Sequence, residues 1–164
     1  MNFQLVAIFT LAILCFDGAQ AQSCAQSLCP QGWSCYDNKC WSVQDTNLDW
    51  NSAEKACVGL GGHLASVENA FEDAFLNNLI TETANHCQYY WLGGYANGPN
   101  GYSWTDGNAF NYTNWGQNEP NKANTCVGLR TTYFHWHMFN CDYPDCSICM
   151  KKAGTFNNFA KIEK

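Results

Sequence analysis

Between residues 48 and 60 the apolar positions Trp50, Ala53, Cys57 and Leu60 fall three or four apart with polar residues between them. That spacing matches the 3.6-residue period of a helix with one buried face, so an amphipathic helix is predicted here. Asp49 stands where an N-cap accepts free N–H groups, and Gly61-Gly62 stands where a helix ends. A second stripe, Val67, Phe71, Phe75 and Leu79, repeats every four residues, with Ser66 as the predicted N-cap and Glu68 in the first turn. After about Cys87 the texture changes. Aromatic-rich runs at 89–92, 102–104, 126–129 and 133–139 are broken by Gly, Asn and Pro, which predicts short strands between loops. Helices followed by strands indicate an α+β domain. The polar, Asn-rich stretch 108–124 is long for a connection, and long ordered loops in compact domains often bind ligands.

At the other end of the hydropathy scale, an apolar run from Leu5 to Phe16 leads to Ala19-Gln20-Ala21, a small-x-small cleavage signal. Residues 1–21 are expected to be a secretory signal peptide, the run being too short for a membrane span. No second long apolar stretch follows, so the expectation is an extracellular chain with no membrane insertion. The 143 residues after Ala21 (164 − 21) suit one domain with a core of its own. Asp17 is the one charged residue of the leader, which leaves −5 of the chain's net −6, and Lys and Arg do not cluster. Nucleic acid and anionic membrane surfaces are therefore poor candidates for partners, and neither is expected.

Cysteine chemistry agrees with export. Of eleven cysteines Cys15 lies in the leader, and the remaining ten form an even set, which in a secreted chain points to disulfides. No two-by-two spacing of a structural zinc site occurs, and Cys146-Ser147-Ile148-Cys149 lacks the βαβ surroundings of a redox motif. Residues 22–40 form a Cys-rich segment spaced C-x4-C-x5-C-x4-C, too poor in apolar residues to hold itself together without bridges. Four cysteines allow three connectivities; Cys24 with Cys35 and Cys29 with Cys40 is the expected one, though spacing alone does not choose. Residues 41–152 would be the main domain and 153–164 a polar tail. Asn111-Tyr112-Thr113 is an N-glycosylation sequon in the predicted loop, and a glycan at Asn111 would sit near any ligand held there.

The order of landmarks is specific. Trp50 and Cys57 fall in the first helix, Gly61-Gly62-His63-Leu64-Ala65-Ser66-Val67 leads to the second, and Trp91-Leu92-Gly93-Gly94 opens the strand-rich half. Trp104-Thr105-Asp106-Gly107, Asn114-Trp115, Glu119-Pro120-Asn121, Cys126, Trp136, Cys141 and Cys149 follow. In order and spacing this resembles the C-type lectin-like family over roughly residues 29–152. The resemblance implies that fold, a Cys57–Cys149 bridge from the first helix to the last strand, a Cys126–Cys141 bridge beneath the ligand loops, and a Cys29–Cys40 bridge of the family's long form. Cys87 and Cys146 then pair by elimination.

In sugar-binding members a Glu-Pro-Asn triplet, with the proline often cis, gives two side-chain oxygens to a calcium ion that grips adjacent hydroxyls of a mannose-like sugar. Glu119, Pro120 and Asn121 match that triplet, which makes Glu119, Asn121 and Asn124 the candidate carbohydrate contacts, and Glu119 and Asn121 the candidate calcium ligands. The rest of the set departs from the pattern. Asn124 stands where the family has Glu, and His137-Met138 where it has Asn-Asp. Calcium takes six to eight oxygens and its affinity follows ligand charge, so binding much weaker than the family's, or none, is expected. Asn140 and Asp142 would compensate only after a register shift that turns side chains to the other face. The loop 95–101 has no Asp or Glu for the family's auxiliary calcium site.

His135 and His137 alternate along a predicted strand and with Glu119 offer a zinc or copper set, against the simpler reading of two solvent-facing histidines. Tyr112, Trp115, Tyr133 and Trp136 offer faces for sugar stacking, with Trp115 and Trp136 better suited to the core. No nucleophile elbow or triad pattern occurs, so an enzyme is not expected. The expected function is a carbohydrate-binding module whose partners are glycans or glycoproteins, mannose-type sugars first. A calcium-independent module that binds a protein, a lipid or another surface is the alternative.

Overall fold

The computed structural model describes residues 24–83, 87–99 and 101–154. The expected signal peptide at 1–21 and all but the first two residues of the polar tail lie outside the described residues. Strands β1 (Ser34–Tyr36) and β2 (Lys39–Leu48) come first, followed by helix α1 (Trp50–Gly59), β3 (His63–Leu64) and helix α2 (Ala70–Glu82). The second half supplies β4 (Tyr89–Ala96), β5 (Tyr102–Trp104), β6 (Cys126–Arg130), β7 (His135–Phe139) and β8 (Asp145–Lys152). They form one sheet in the order β1-β2-β8-β4-β6-β7, with β3 on β8 and β5 on β4. All of these strand pairings are antiparallel except β4 with β8.

Helix α1 forms as its sequence predicts. Asp49 accepts from the Ser52 backbone N–H at 3.0 Å and from its hydroxyl at 2.6 Å, and Trp50, Ala53 and Cys57 turn inward. Helix α2 starts later than the Ser66 cap predicts. The Ser66 hydroxyl lies 2.5 Å from an Asp106 carboxylate oxygen, and Asn69 caps instead, accepting from Phe71 and Glu72 N–H at 3.0 Å each. Its buried face is correspondingly rotated. Leu76, Leu79 and Ile80 point inward, while Phe71 is 77% exposed.

The core is aromatic. Trp41, Trp91, Trp104 and Trp136 are buried, and three of their indoles find acceptors: Tyr36 O for Trp41, Leu48 O for Trp91 and an Asp73 oxygen for Trp136. Gly93 admits the close crossing of β4 over β3, since a Cβ there would lie 2.5 Å from Leu64 O. Five disulfides pair Cys24–Cys35, Cys29–Cys40, Cys57–Cys149, Cys87–Cys146 and Cys126–Cys141. The Cys-rich segment is joined to the body through the β1–β2 hairpin, and its backbone also accepts from the first tail residues, Ala153 N–H to Asn38 O and Gly154 N–H to Leu28 O.

Candidate functional site

The long loop between β5 and β6 is anchored at its first half by aromatic packing. Phe110 stacks on Trp104 with centroids 4.5 Å apart, and Tyr112 and Trp115 meet the buried Trp136 edge-on at 5.6 and 5.8 Å. Trp136 belongs to the core, and Trp115 and Tyr112 are half-buried against it, so neither gives a free stacking face. Tyr133 differs, being 69% exposed in the turn before β7. Asn114 then fastens the loop to the strand. Its amide donates to an Asp73 oxygen at 2.7 Å and to Phe134 O at 2.9 Å, and its backbone oxygen accepts from Trp136 N–H.

From Asn114 the chain passes Gly116 into the triplet, whose Glu119–Pro120 peptide bond is cis. Gly116 has no side chain for a plain reason, since a Cβ there would lie 2.6 Å from Nε2 of His137. One Glu119 carboxylate oxygen accepts from the N–H of Asn121 at 2.7 Å and from the N–H of Met138 at 3.1 Å. The other faces His137 Nδ1 at 3.2 Å. Asn121 Oδ1 accepts from Ala123 N–H at 3.1 Å, and the Asn124 amide donates to Met138 O at 3.0 Å. Glu119 and Asn124 thus meet β7 at Met138 and His137, while the Asn121 side chain is engaged within the loop itself.

This arrangement tests the calcium expectation. Met138 is buried on the core side of β7, and His137 presents an imidazole beside the carboxylate, so β7 adds no side-chain oxygen at either position. The loop offers one carboxylate, both of whose oxygens already meet the chain, and two amides. That set does not fit an ion that takes six to eight oxygens. The transition-metal set does not assemble either. Glu119 lies at His137, whereas exposed His135 has Asn114 Oδ1 as its partner at 2.9 Å. Among the described residues the one three-donor group is Cys24, Cys29 and Cys35, whose sulfurs are tied up in disulfides.

Behind the site lies Asp73 of α2, which the sequence reading did not single out. It accepts from Trp136 Nε1 at 2.8 Å and from Asn114, joining helix, loop and strand through one buried carboxylate. Burial raises its pKa, and the Trp136 and Asn114 hydrogen bonds pull the other way. Asp145, at the start of β8, is pushed up to about 6 by burial. Asn111 is exposed in the loop, as a glycan acceptor requires.

Residues 46–151 match the model of the C-type lectin domain. The chain is 33% identical over 138 residues to the galactose-specific lectin nattectin of Thalassophryne nattereri, covering 82% of this chain and 87% of that one. It is 34% identical over 131 residues to snaclec A10 of Macrovipera lebetinus, covering 74% and 82% respectively. Among solved structures, a calcium-independent type II antifreeze protein superposes with a TM-score of 0.69 at 30% identity, over 76% of this chain and 95% of that one. The match spans both helices, the loop that carries the triplet and the strands on either side of it, and the chain belongs to the C-type lectin domain family.

Proposed function

We propose that the protein is a secreted carbohydrate-binding lectin in which the 119–124 loop and the adjoining part of β7 meet the sugar directly, with no bridging calcium ion. One observation carries this reading: the Glu119 carboxylate is bound to the Met138 and Asn121 N–H groups and faces His137, where an ion-holding triplet needs it turned toward the metal. Carboxylate and amide groups held in fixed directions recognise sugar hydroxyls by hydrogen bonding at small ordering cost. The apolar leader and five disulfides support export. Among the described residues no helix is long and apolar enough to cross a membrane. Exposed Asn111 would carry an N-linked glycan.

A mannose-type preference follows from the triplet's resemblance alone, and a galactose-specific relative makes the galactose series the necessary comparison. The test is a glycan array probed with the disulfide-intact mature chain, once with calcium and once with a chelator. Binding of mannose- or galactose-type glycans that survives the chelator supports the reading; binding abolished by it would mean that a calcium ion is held after all. The second reading, a protein surface as ligand, draws on three exposed aromatic side chains, Phe71, Tyr133 and Tyr143. A blank array under both conditions would favour it.

A further inference from the structure

Beside the triplet loop, on the outer face of β6 and β7, lies a hollow of about 460 Å³, within the size range of small-ligand sites. Gly116, Gln117 and Asn118 form one wall, and Arg130, Tyr133, His135 and His137 the other. No Asp or Glu lines it, although the chain carries fourteen acidic residues against eight basic ones. Arg130 is the one permanent cation in its lining, and the Glu119 carboxylate beside His137 is already engaged by that ring and by two backbone N–H groups.

Strand register explains how the basic groups gather. Tyr89 on β4 is directly opposite Arg130 on β6, and Arg130 is directly opposite His135 on β7, so the three share one face of the sheet. His137, two residues further along β7, lies on the same face. The Arg130 guanidinium lies 5.9 Å from the Tyr89 ring centroid and 6.0 Å from that of Tyr133. Two aromatic neighbours restrict the side chain before any ligand arrives, which reduces the ordering cost of binding. It also gives exposed Tyr133 a role that packing does not.

The histidines are oriented as well. Both amide hydrogens of Asn114 have acceptors, Asp73 and Phe134 O, so its Oδ1 receives the His135 Nδ1 proton. Glu119 holds Nδ1 of His137 in the same way. With Nδ1 donating, the neutral form of each ring keeps Nε2 as an acceptor, which suits a sugar hydroxyl and leaves the anionic group to Arg130. A fixed guanidinium fork matches the paired oxygens of a sulfate ester or a carboxylate.

We infer that this hollow is an anion subsite through which the protein selects acidic saccharides, with Arg130 as the principal contact and Tyr89 and Tyr133 as the groups that hold it. The inference rests on the lectin reading and names the substrate class of the same face. Calorimetric titration of the whole mature chain would use a sulfated oligosaccharide, a sialylated one and the neutral counterpart of each. At least one acidic probe should bind about tenfold or more tightly than its counterpart, and which one does so separates sulfate from carboxylate. In Arg130→Gln the acidic-to-neutral ratio should fall to about one, and in Arg130→Lys to an intermediate value, because charge remains while the fork is lost. Tyr133→Ala, at an exposed position, should also lower the ratio and keeps the test open if Arg130→Gln fails to fold. Equal binding of acidic and neutral probes, or a ratio that survives Arg130→Gln, would overturn the subsite and leave the lectin reading standing. Absence of binding to every probe would overturn both.

Discussion

Glu119 and Asp145 show how one carboxylate fastens a loop and another opposes the fold. Each Glu119 oxygen has a partner on its own chain, and two of the partners are backbone N–H groups. Glu119→Ala therefore leaves the Met138 and Asn121 N–H groups without an acceptor and unfastens the triplet from β7. The expected outcome is loss of more than tenfold in glycan affinity with a stability loss of about 1–3 kcal/mol, read by the array and by thermal melting; an unchanged glycan profile would count against the proposed site. Asp145 contributes in the opposite sense. Its carboxyl is held at about 6 by burial, above the ordinary value of 3.8. The folded state thus holds a proton that the unfolded chain releases across that window, and stability falls as pH rises from about 4 to 6, then levels. Asp145→Asn removes the penalty. After discounting for its partial exposure, the variant should gain on the order of 1 kcal/mol at pH 7 and nothing near pH 4, a difference that denaturant titration at the two pH values would reveal.

At the scale of elements, the candidate loop and β7 are held from the core side by helix α2. Asp73 reaches from α2 to the Trp136 indole and the Asn114 amide, so the loop and β7 are positioned from behind. Asp73→Ala would strand one buried and one half-buried donor at a cost of about 2–4 kcal/mol, and it should weaken glycan binding although no contact with the sugar is removed. Asp73→Asn, which keeps one acceptor, should lose less on both measures; equal losses would mean that charge, not hydrogen bonding, holds the three elements together. The sequence pattern shows some elements and hides others, for physical reasons. Helix α1 is legible because Asp49 and the Trp50, Ala53, Cys57 stripe agree with each other. The start of α2 is not, because Ser66 has the side chain of a cap but is bound by Asp106, forty residues away. Strand β8 escapes the pattern because it is flanked by β2 and β4 and buried continuously from Cys146 to Met150, which removes the alternation that marks a half-exposed strand. The triplet is plain in the chain; that His137 is its partner depends on the fold.

Across the whole molecule, covalent bridges tie together segments far apart in the chain. Cys57–Cys149 closes a loop with a sequence separation of 92 and ties α1 to β8. In the chain-entropy description a loop of that length is worth about 4–5 kcal/mol, against about 3 kcal/mol for the separation of 11 at Cys24–Cys35. Replacing both Cys57 and Cys149 by Ala should accordingly lower the melting temperature far more than the same change at Cys24 and Cys35. Calcium should act otherwise. A ligand that binds only the folded state raises stability by RT ln(1 + [L]/Kd), so an ion present at about a hundred times its Kd would add about 2.7 kcal/mol. The 119–124 loop already has its carboxylate bound to the chain, and giving that carboxylate to calcium would require breaking those hydrogen bonds. The melting temperature of the oxidised chain should therefore be the same in millimolar calcium and in chelator. A rise of several degrees with calcium would show that the loop can reopen and that Glu119 leaves His137 for the metal.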